Sequence, residues 1–247
     1  MSIQYTENIF YRIEKKYLVT RKQYNEITKI LSERMALDEY SKEGGTYNVM
    51  SLYYDTPSKA FICEALFNRR YKEKLRLRTY TVPQPDADVF VEVKKKVDGI
   101  GNKRRCTLPL ADAYRFLEKG DISYEGDNQQ VLREIYAILG RYDMNLSPSA
   151  LISYNRLAYN GKDEDVGLRI SFDTDLRGRL QDLRFESGTY GKRLLDPEVV
   201  VMEIKVLSCM PLWLTQLLAS QQVFPRSFSK YRAMHRIALN SKEMIFC

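Results

Sequence analysis

The chain has 247 residues, with 39 Lys and Arg against 32 Asp and Glu, a formal charge of +7. Its length and its 44% hydrophobic and 12% aromatic content are enough to bury a core, which excludes disorder as the dominant state. The positive excess points to an anionic partner: nucleic acid, acidic lipid or a phosphorylated small molecule.

Residues 10–19 alternate and predict a strand; Thr20 then caps a helix with Tyr24, Ile27, Ile30, Leu31 and Met35 at helical spacing. Gly44-Gly45 precede a strand over 46–54, and Asp55-Thr56-Pro57 start a short helix reaching Leu66. Residues 73–80, 88–97 and 103–108 read as an antiparallel three-stranded meander, turning at Pro83-Gln84-Pro85 and at Asp98-Gly99-Ile100-Gly101. Helices over 111–119 and 128–139 follow, the second closed by Gly140 as a C-cap. Strands resume at 150–159 and 166–175 around Asn160-Gly161-Lys162-Asp163. After a polar stretch to about Arg193 come a strand over 198–207 and helices over 211–220 and 229–239. With no repeat and no Pro/Gly/Ser-rich linker, 1–247 reads as a single α+β domain with a mainly antiparallel sheet of about eight strands.

Cys63, Cys106, Cys209 and Cys247 form no C-x-x-C pair, which argues against zinc ribbons, redox motifs and a disulfide framework, and fits a reducing compartment. His235 is the only histidine, so a histidine-rich metal site is excluded. There is no Walker A sequence, and Gly99-Ile100-Gly101 lacks the third glycine of a dinucleotide loop. No secretory leader and no apolar run of about 18 residues is present, so a soluble, cytoplasmic protein is expected.

The informative feature is where the charges fall. Residues two apart share a face of a strand. Arg12, Glu14 and Lys16 therefore share a face, as do Arg76 and Arg78, and Glu92, Lys94 and Lys96; Arg169, Ser171 and Asp173 alternate with Leu168, Ile170 and Phe172, and Glu203 and Lys205 with Met202, Ile204 and Val206. Any antiparallel sheet with one solvated side alternates too. Here, however, Lys and Arg dominate, and Glu-x-Lys recurs at Glu14/Lys16, Glu92/Lys94 and Glu203/Lys205. Like charges facing each other on adjacent strands destabilise a sheet, so the pattern calls for a compensating anion. Eight such strands curled into a closed or nearly closed antiparallel β-barrel, with helices on the apolar outside, would turn the charged faces into a polyanion site. Glutamates among those cations suit Mg²⁺ or Mn²⁺, which bridge carboxylate and phosphate oxygens.

The ordered pieces Glu14-Lys15-Lys16-Tyr17, Ser51-Leu52-Tyr53-Tyr54-Asp55-Thr56-Pro57, Leu75-Arg76-Leu77-Arg78-Thr79-Tyr80, Val89-Phe90-Val91-Glu92-Val93-Lys94, Leu168-Arg169-Ile170-Ser171, Met202-Glu203-Ile204-Lys205 and Phe228-Ser229-Lys230-Tyr231 resemble the VTC-type polyphosphate polymerase domain. That domain is a branch of the triphosphate tunnel metalloenzyme (CYTH-like) superfamily. The resemblance implies a basic tunnel holding ATP and inorganic polyphosphate or triphosphate, with a divalent metal at the triphosphate. It carries phosphate contact onto Lys16, Arg76, Arg78, Lys94, Arg156, Arg169 and Lys205, with Ser229 and Lys230 near the last helix; Lys103 joins them with its register open by one within Lys103-Arg104-Arg105. Glu203 is the first metal ligand implied, then Glu92 and Glu14, whereas Asp55, Tyr80 and Tyr231 read as packing or capping residues. The activity implied is transfer of the ATP γ-phosphate to a growing chain. A triphosphate hydrolase on the same fold and a non-catalytic nucleic-acid or polyanion-binding module are the alternatives. With no RNP-type aromatic motif, C₂H₂ pattern or recognition helix, no nucleic acid is expected as a partner, and the resemblance leaves open a separate membrane partner.

Overall fold

The computed structural model describes residues 13–41, 45–67, 70–98, 100–121 and 129–240. The expectations for Phe10, Arg12, Gly44, Gly99 and Asn128 lie outside the described residues.

Strand β1 (Ile13–Thr20) leads directly into helix α1 (Arg21–Arg34). Thr20 and Gln23 form a capping box, each side chain accepting a hydrogen bond from the other's backbone N–H, so two orphan donors are satisfied at once. Helix α1 buries Ile27 and Leu31, two of the positions its spacing singled out. A two-residue strand β2 (Ala36–Leu37) precedes β3 (Tyr47–Asp55) and α2 (Ala60–Phe67). Asp55 does cap: its carboxylate accepts from the backbone N–H groups of Phe61 at 2.9 Å and Ile62 at 3.1 Å.

The expected meander is present as β4 (Tyr71–Thr79), β5 (Asp88–Val97) and β6 (Ile100–Pro109). Helix α3 (Leu110–Lys119) ends at Gly120, whose φ of 70° only glycine adopts without cost. Helix α4 (Gln129–Arg141) corrects the C-cap expected at Gly140, because it runs through that glycine. Its apolar stripe of Leu132, Ile135, Ile138 and Leu139 keeps it packed, and the left-handed residues beyond it are Asp143 and Met144. The remaining elements are β7 (Ser147–Asn160), β8 (Arg169–Arg179), the two-residue β9 (Lys192–Arg193), β10 (Val199–Val206), α5 (Leu212–Ser220) and α6 (Lys230–Asn240).

The architecture is mixed α+β with one large antiparallel sheet. Its order is β1-β10-β8-β7-β3-β4-β5-β6, with β2 on β7 and β9 on β8. Eight strands form the main path, matching the expected number, but the order is open: no pairing of β1 with β6 closes it into a barrel among the described residues. Strand β6 is rich in Lys and Arg, which protect an edge from further strand addition, and β1 is partly covered by a bridge between Tyr17 and Pro225 and by the Arg226 N–H donating to the Lys16 carbonyl at 2.7 Å.

Two compact units can be distinguished, and β7 and β8 run through both. The first comprises residues 1–47, 155–175 and 195–228; the second comprises 48–154, 176–194 and 229–247. In the first, the apolar residues Tyr17, Val19, Ile170, Phe172, Met202 and Ile204 of the strands pack with Ile27 and Leu31 of α1 and Leu214 and Leu218 of α5. In the second, Leu75, Leu77, Val91, Val93, Cys106 and Leu108 pack with Phe61 of α2, Phe116 and Leu117 of α3, and Ile135 and Leu139 of α4. Strand alternation then sends Arg76, Arg78, Glu92 and Lys94 of the second unit, and Lys16, Glu203 and Lys205 of the first, to the opposite face. Among the described residues, no helix is long and apolar enough to cross a membrane.

Candidate functional site

In the second unit, the register of β4, β5 and β6 sets the charged side chains in rows across the sheet. Lys74 lies opposite Lys94, and Lys94 opposite Lys103, so three ammonium-bearing residues stand abreast on three adjacent strands. The neighbouring row is Arg76, Glu92 and Arg105; beyond it lie Arg78, Phe90 and Thr107, and on the other side Lys72, Lys96 and Gly101. The register settles the Lys103-Arg104-Arg105 ambiguity. Lys103 and Arg105 share the charged face, whereas Arg104 shares the core face with Val93 and reaches Glu134 of α4 at 3.5 Å.

Glu92, only 1% exposed, organises this face. It accepts from Arg76 Nε at 2.8 Å and from Lys103 Nζ at 2.5 Å, and it lies 3.8 Å from Arg78 Nε. Burial opposes its ionisation, but Arg76, Arg78 and Lys103 outweigh that cost and hold the carboxyl well below the ordinary carboxylate range. Lys103 is pulled the other way: burial, with Arg76 and Arg78 adding repulsion, brings it down to about 8 despite Glu92. Tyr53 of β3 accepts from Arg76 Nη1 at 2.9 Å. Burial alone would raise its phenol, but Arg76, with Lys74 and Arg78 behind it, brings it down to about 7. At the start of α6, Ser229 Oγ accepts from Lys74 Nζ at 3.0 Å, and the Lys230 ammonium lies 4.4 Å from the centre of the Tyr154 ring.

The first unit carries a different constellation. Lys16 lies opposite Glu203, Glu14 opposite Lys205, and Lys205 opposite Arg169. Lys16 Nζ is 3.0 Å from Glu14 and 3.7 Å from Glu203, whose other oxygen is 2.8 Å from Lys205. Arg156 grips Asp173 through two hydrogen bonds of 2.7 and 2.9 Å, and Arg169 donates to Asp38 and to Asn160.

The structure thus gathers Arg76, Arg78, Lys94, Glu92 and Lys103 on one face of the second unit, with Ser229 joined to it through Lys74. In the first unit it gathers Lys16, Lys205, Glu14 and Glu203 around shared ion pairs, and gives Arg156 and Arg169 carboxylate partners of their own. Sequence reasoning missed Lys74 and Arg105, which have the same parity as Arg76 and Lys103. It also missed Tyr53, and Asp38 as the partner of Arg169.

Among the described residues, no group of three or more His, Cys, Asp or Glu side chains forms a metal cage. Mg²⁺ or Mn²⁺ bound with a phosphate substrate needs only one or two carboxylates, the rest coming from phosphate oxygens and water. Glu14 and Glu203 fit that requirement, since both reach the same ammonium on adjacent strands. Glu92 fits it less well, because both of its oxygens already face cations.

No curated protein sequence matches this chain. Among solved structures, a Bacillus halodurans protein described as a putative adenylate cyclase aligns with a TM-score of 0.55 at 15% identity, covering 88% of this chain and 93% of its own, and so shares the fold. The PH1819 protein of Pyrococcus horikoshii OT3 aligns with a TM-score of 0.46 at 14% identity, covering 92% of this chain and 99% of its own. The model of the family described as the VTC domain matches residues 11–238; over nearly its whole length, then, the chain belongs to the VTC domain family.

Proposed function

We propose that the protein is a metal-dependent polyphosphate polymerase that transfers the γ-phosphate of ATP to a growing inorganic polyphosphate chain. VTC membership supports an enzyme acting on polyphosphate or triphosphate. The observation that carries the finer reading is the row Lys74, Lys94 and Lys103, abreast on adjacent strands beside Arg76 and Arg105. Like charges set across from one another on adjacent strands repel, and an anion with several charged oxygens offsets that repulsion. A tunnel enclosing the phosphate chain is part of the proposal and rests on the resemblance.

Phosphoryl transfer passes through a loose transition state, so alignment and charge stabilisation suffice and no protein nucleophile is required. In the second unit, Arg76, Arg78, Lys94 and Lys103 bind phosphate oxygens, Ser229 and Lys230 add to the grip at the start of α6, and Glu92 holds the guanidinium planes in place. In the first unit, Lys16, Arg156, Arg169 and Lys205 are the phosphate ligands, and Glu203 with Glu14 would hold Mn²⁺ or Mg²⁺. A divalent cation there would supply charge neutralisation on the triphosphate. A terminal oxygen of the polyphosphate chain attacks the γ-phosphorus and the bond to the β-phosphate oxygen breaks, giving ADP and a chain longer by one phosphate.

Incubation with ATP and Mn²⁺ is expected to give a polymer ladder on a gel together with ADP. Release of orthophosphate with no ladder would replace this reading with the triphosphate hydrolase. Salt-sensitive binding of single-stranded RNA, with no effect of tripolyphosphate on melting, would replace it with a non-catalytic polyanion-binding module.

A further inference from the structure

We propose that Tyr231 is a positioning residue whose hydroxyl holds the first turn of α6 against the cationic face of the second unit, so that Ser229 and Lys230 meet the phosphate chain. The inference rests on the phosphate-binding reading of that face.

Three consecutive residues divide the labour. Ser229 accepts from Lys74 Nζ at 3.0 Å, and Lys230 lies over the Tyr154 ring. Tyr231, 1% exposed, turns inward: its hydroxyl donates to Asp55 Oδ2 at 2.7 Å and lies 3.2 Å from Ser149 Oγ. Asp55 is rigid, because its carboxylate also caps α2. The Tyr231 ring stacks on Tyr53 with centroids 4.5 Å apart and planes 16° from parallel, and Tyr53 in turn accepts from Arg76. One turn further along α6, the His235 ring packs edge-to-face with Tyr231, centroids 4.5 Å apart.

Electrostatics gives such a tether a use. The amino-terminal end of a helix carries partial positive charge, and this one also carries Lys230. Lys74 and Arg76 are cations as well, so like charge opposes the approach of this turn to them. The Tyr231–Asp55 hydrogen bond supplies a fixed attachment that involves none of the phosphate ligands, so the binding turn is already in place when the chain enters.

The test is titration with inorganic polyphosphate, without ATP, over a range of salt concentrations. Tyr231→Phe keeps the ring stack and removes only the hydroxyl, and Ser149→Ala removes the weaker of its two oxygen partners. Tyr231→Phe should weaken binding about tenfold, the scale of a lost hydrogen bond to a charged group, and Ser149→Ala should weaken it less. The dependence of log affinity on log salt should become shallower as the Lys230 contact is lost. Combined with Lys230→Ala, Tyr231→Phe should cost little more than Lys230→Ala alone. Full multiplication of the two effects, or an unchanged salt slope, would reduce Tyr231 to a stability residue and overturn the inference. Wild-type protein that does not bind polyphosphate would instead overturn the functional reading beneath it.

Discussion

The charged faces of the two units use the same residue types to opposite effect. In the first unit, Lys16, Arg156, Arg169 and Lys205 are matched by Glu14, Asp38, Asp173 and Glu203, so each cation has a carboxylate within reach. In the second, the four rows from Lys72 to Arg78 hold eight cationic side chains and one carboxylate, Glu92. A neutralised face can exchange its ammonium partners for a divalent cation and its phosphate. A face on which adjacent strands set mostly cations abreast attracts the polyanion itself. The difference teaches that Glu-x-Lys on a strand has no fixed meaning: Glu203 shares its cations with Glu14, whereas Glu92 is the one carboxylate in those rows, which β4, β5 and β6 set abreast.

The largest effect should come from removing that one carboxylate. Glu92→Gln leaves Arg76, Arg78 and Lys103 crowded without their shared counter-charge, and losing one partner of a buried ion pair costs roughly 3–5 kcal/mol. Urea unfolding should show that loss in the free protein, and saturating tripolyphosphate should restore much of it by supplying the missing negative charge. A loss that tripolyphosphate leaves untouched would mean that Glu92 serves packing alone.

A smaller pair of effects should separate the units. Tripolyphosphate at about 100 times its dissociation constant stabilises wild type by roughly 2.7 kcal/mol. Lys94→Ala should cut that increment whether or not Mn²⁺ is present. Glu203→Gln should leave the metal-free increment intact and abolish the additional protection given by Mn²⁺. Equal responses of both variants under both conditions would erase the distinction between the two faces.

Much of this was legible in the strands and little of it in the loops. Alternation alone assigns Arg76, Arg78, Lys94, Lys16 and Lys205 to charged faces, and the apolar residues between them do build the two cores. Partners distant in sequence were not legible: Asp38 is 131 residues from Arg169, and nothing local links them. Gly140 does not end α4, because glycine stops a helix only where packing does not carry it onward, and Ile138 and Leu139 are buried on the last turn. Closure of the sheet was an inference from charge, and charge determines which face a residue takes without determining whether the edge strands pair.

The pH response should be subtler and should again mark the second unit. Tyr53 falls to about 7 from an ordinary value of 10, and Lys103 to about 8 from an ordinary value of 10.5. Between those folded and unfolded values the unfolded chain binds more protons, so both groups make the free protein more stable as pH rises from about 7 to about 10. Each deprotonation also removes positive charge from the face, so affinity for tripolyphosphate should fall over the same rise. Calorimetry above pH 7 should detect proton uptake on binding. Tyr53→Phe should remove the lower part of that uptake, while Arg156→Lys in the first unit should leave it unchanged.

The smallest effect tests the register that sequence left open. Lys103, Arg104 and Arg105 are adjacent, yet only the first and third face the cationic rows; Arg104 pairs with Glu134 at 3.5 Å in a partly exposed ion pair. Such a pair contributes about 0–1 kcal/mol. The continuous pairing of β5 with β6, from Asp88 opposite Pro109 to Val97 opposite Ile100, fixes this alternation, because a slip by one would turn every side chain of β6 to the other face. Arg104→Ala should therefore leave tripolyphosphate binding within about twofold of wild type and cost stability only on the scale of that exposed pair. Lys103→Ala and Arg105→Ala should each weaken binding measurably while altering the core packing little. A loss of binding in Arg104→Ala equal to theirs would mean that β6 is displaced by one residue, and with it every side-chain assignment on that strand.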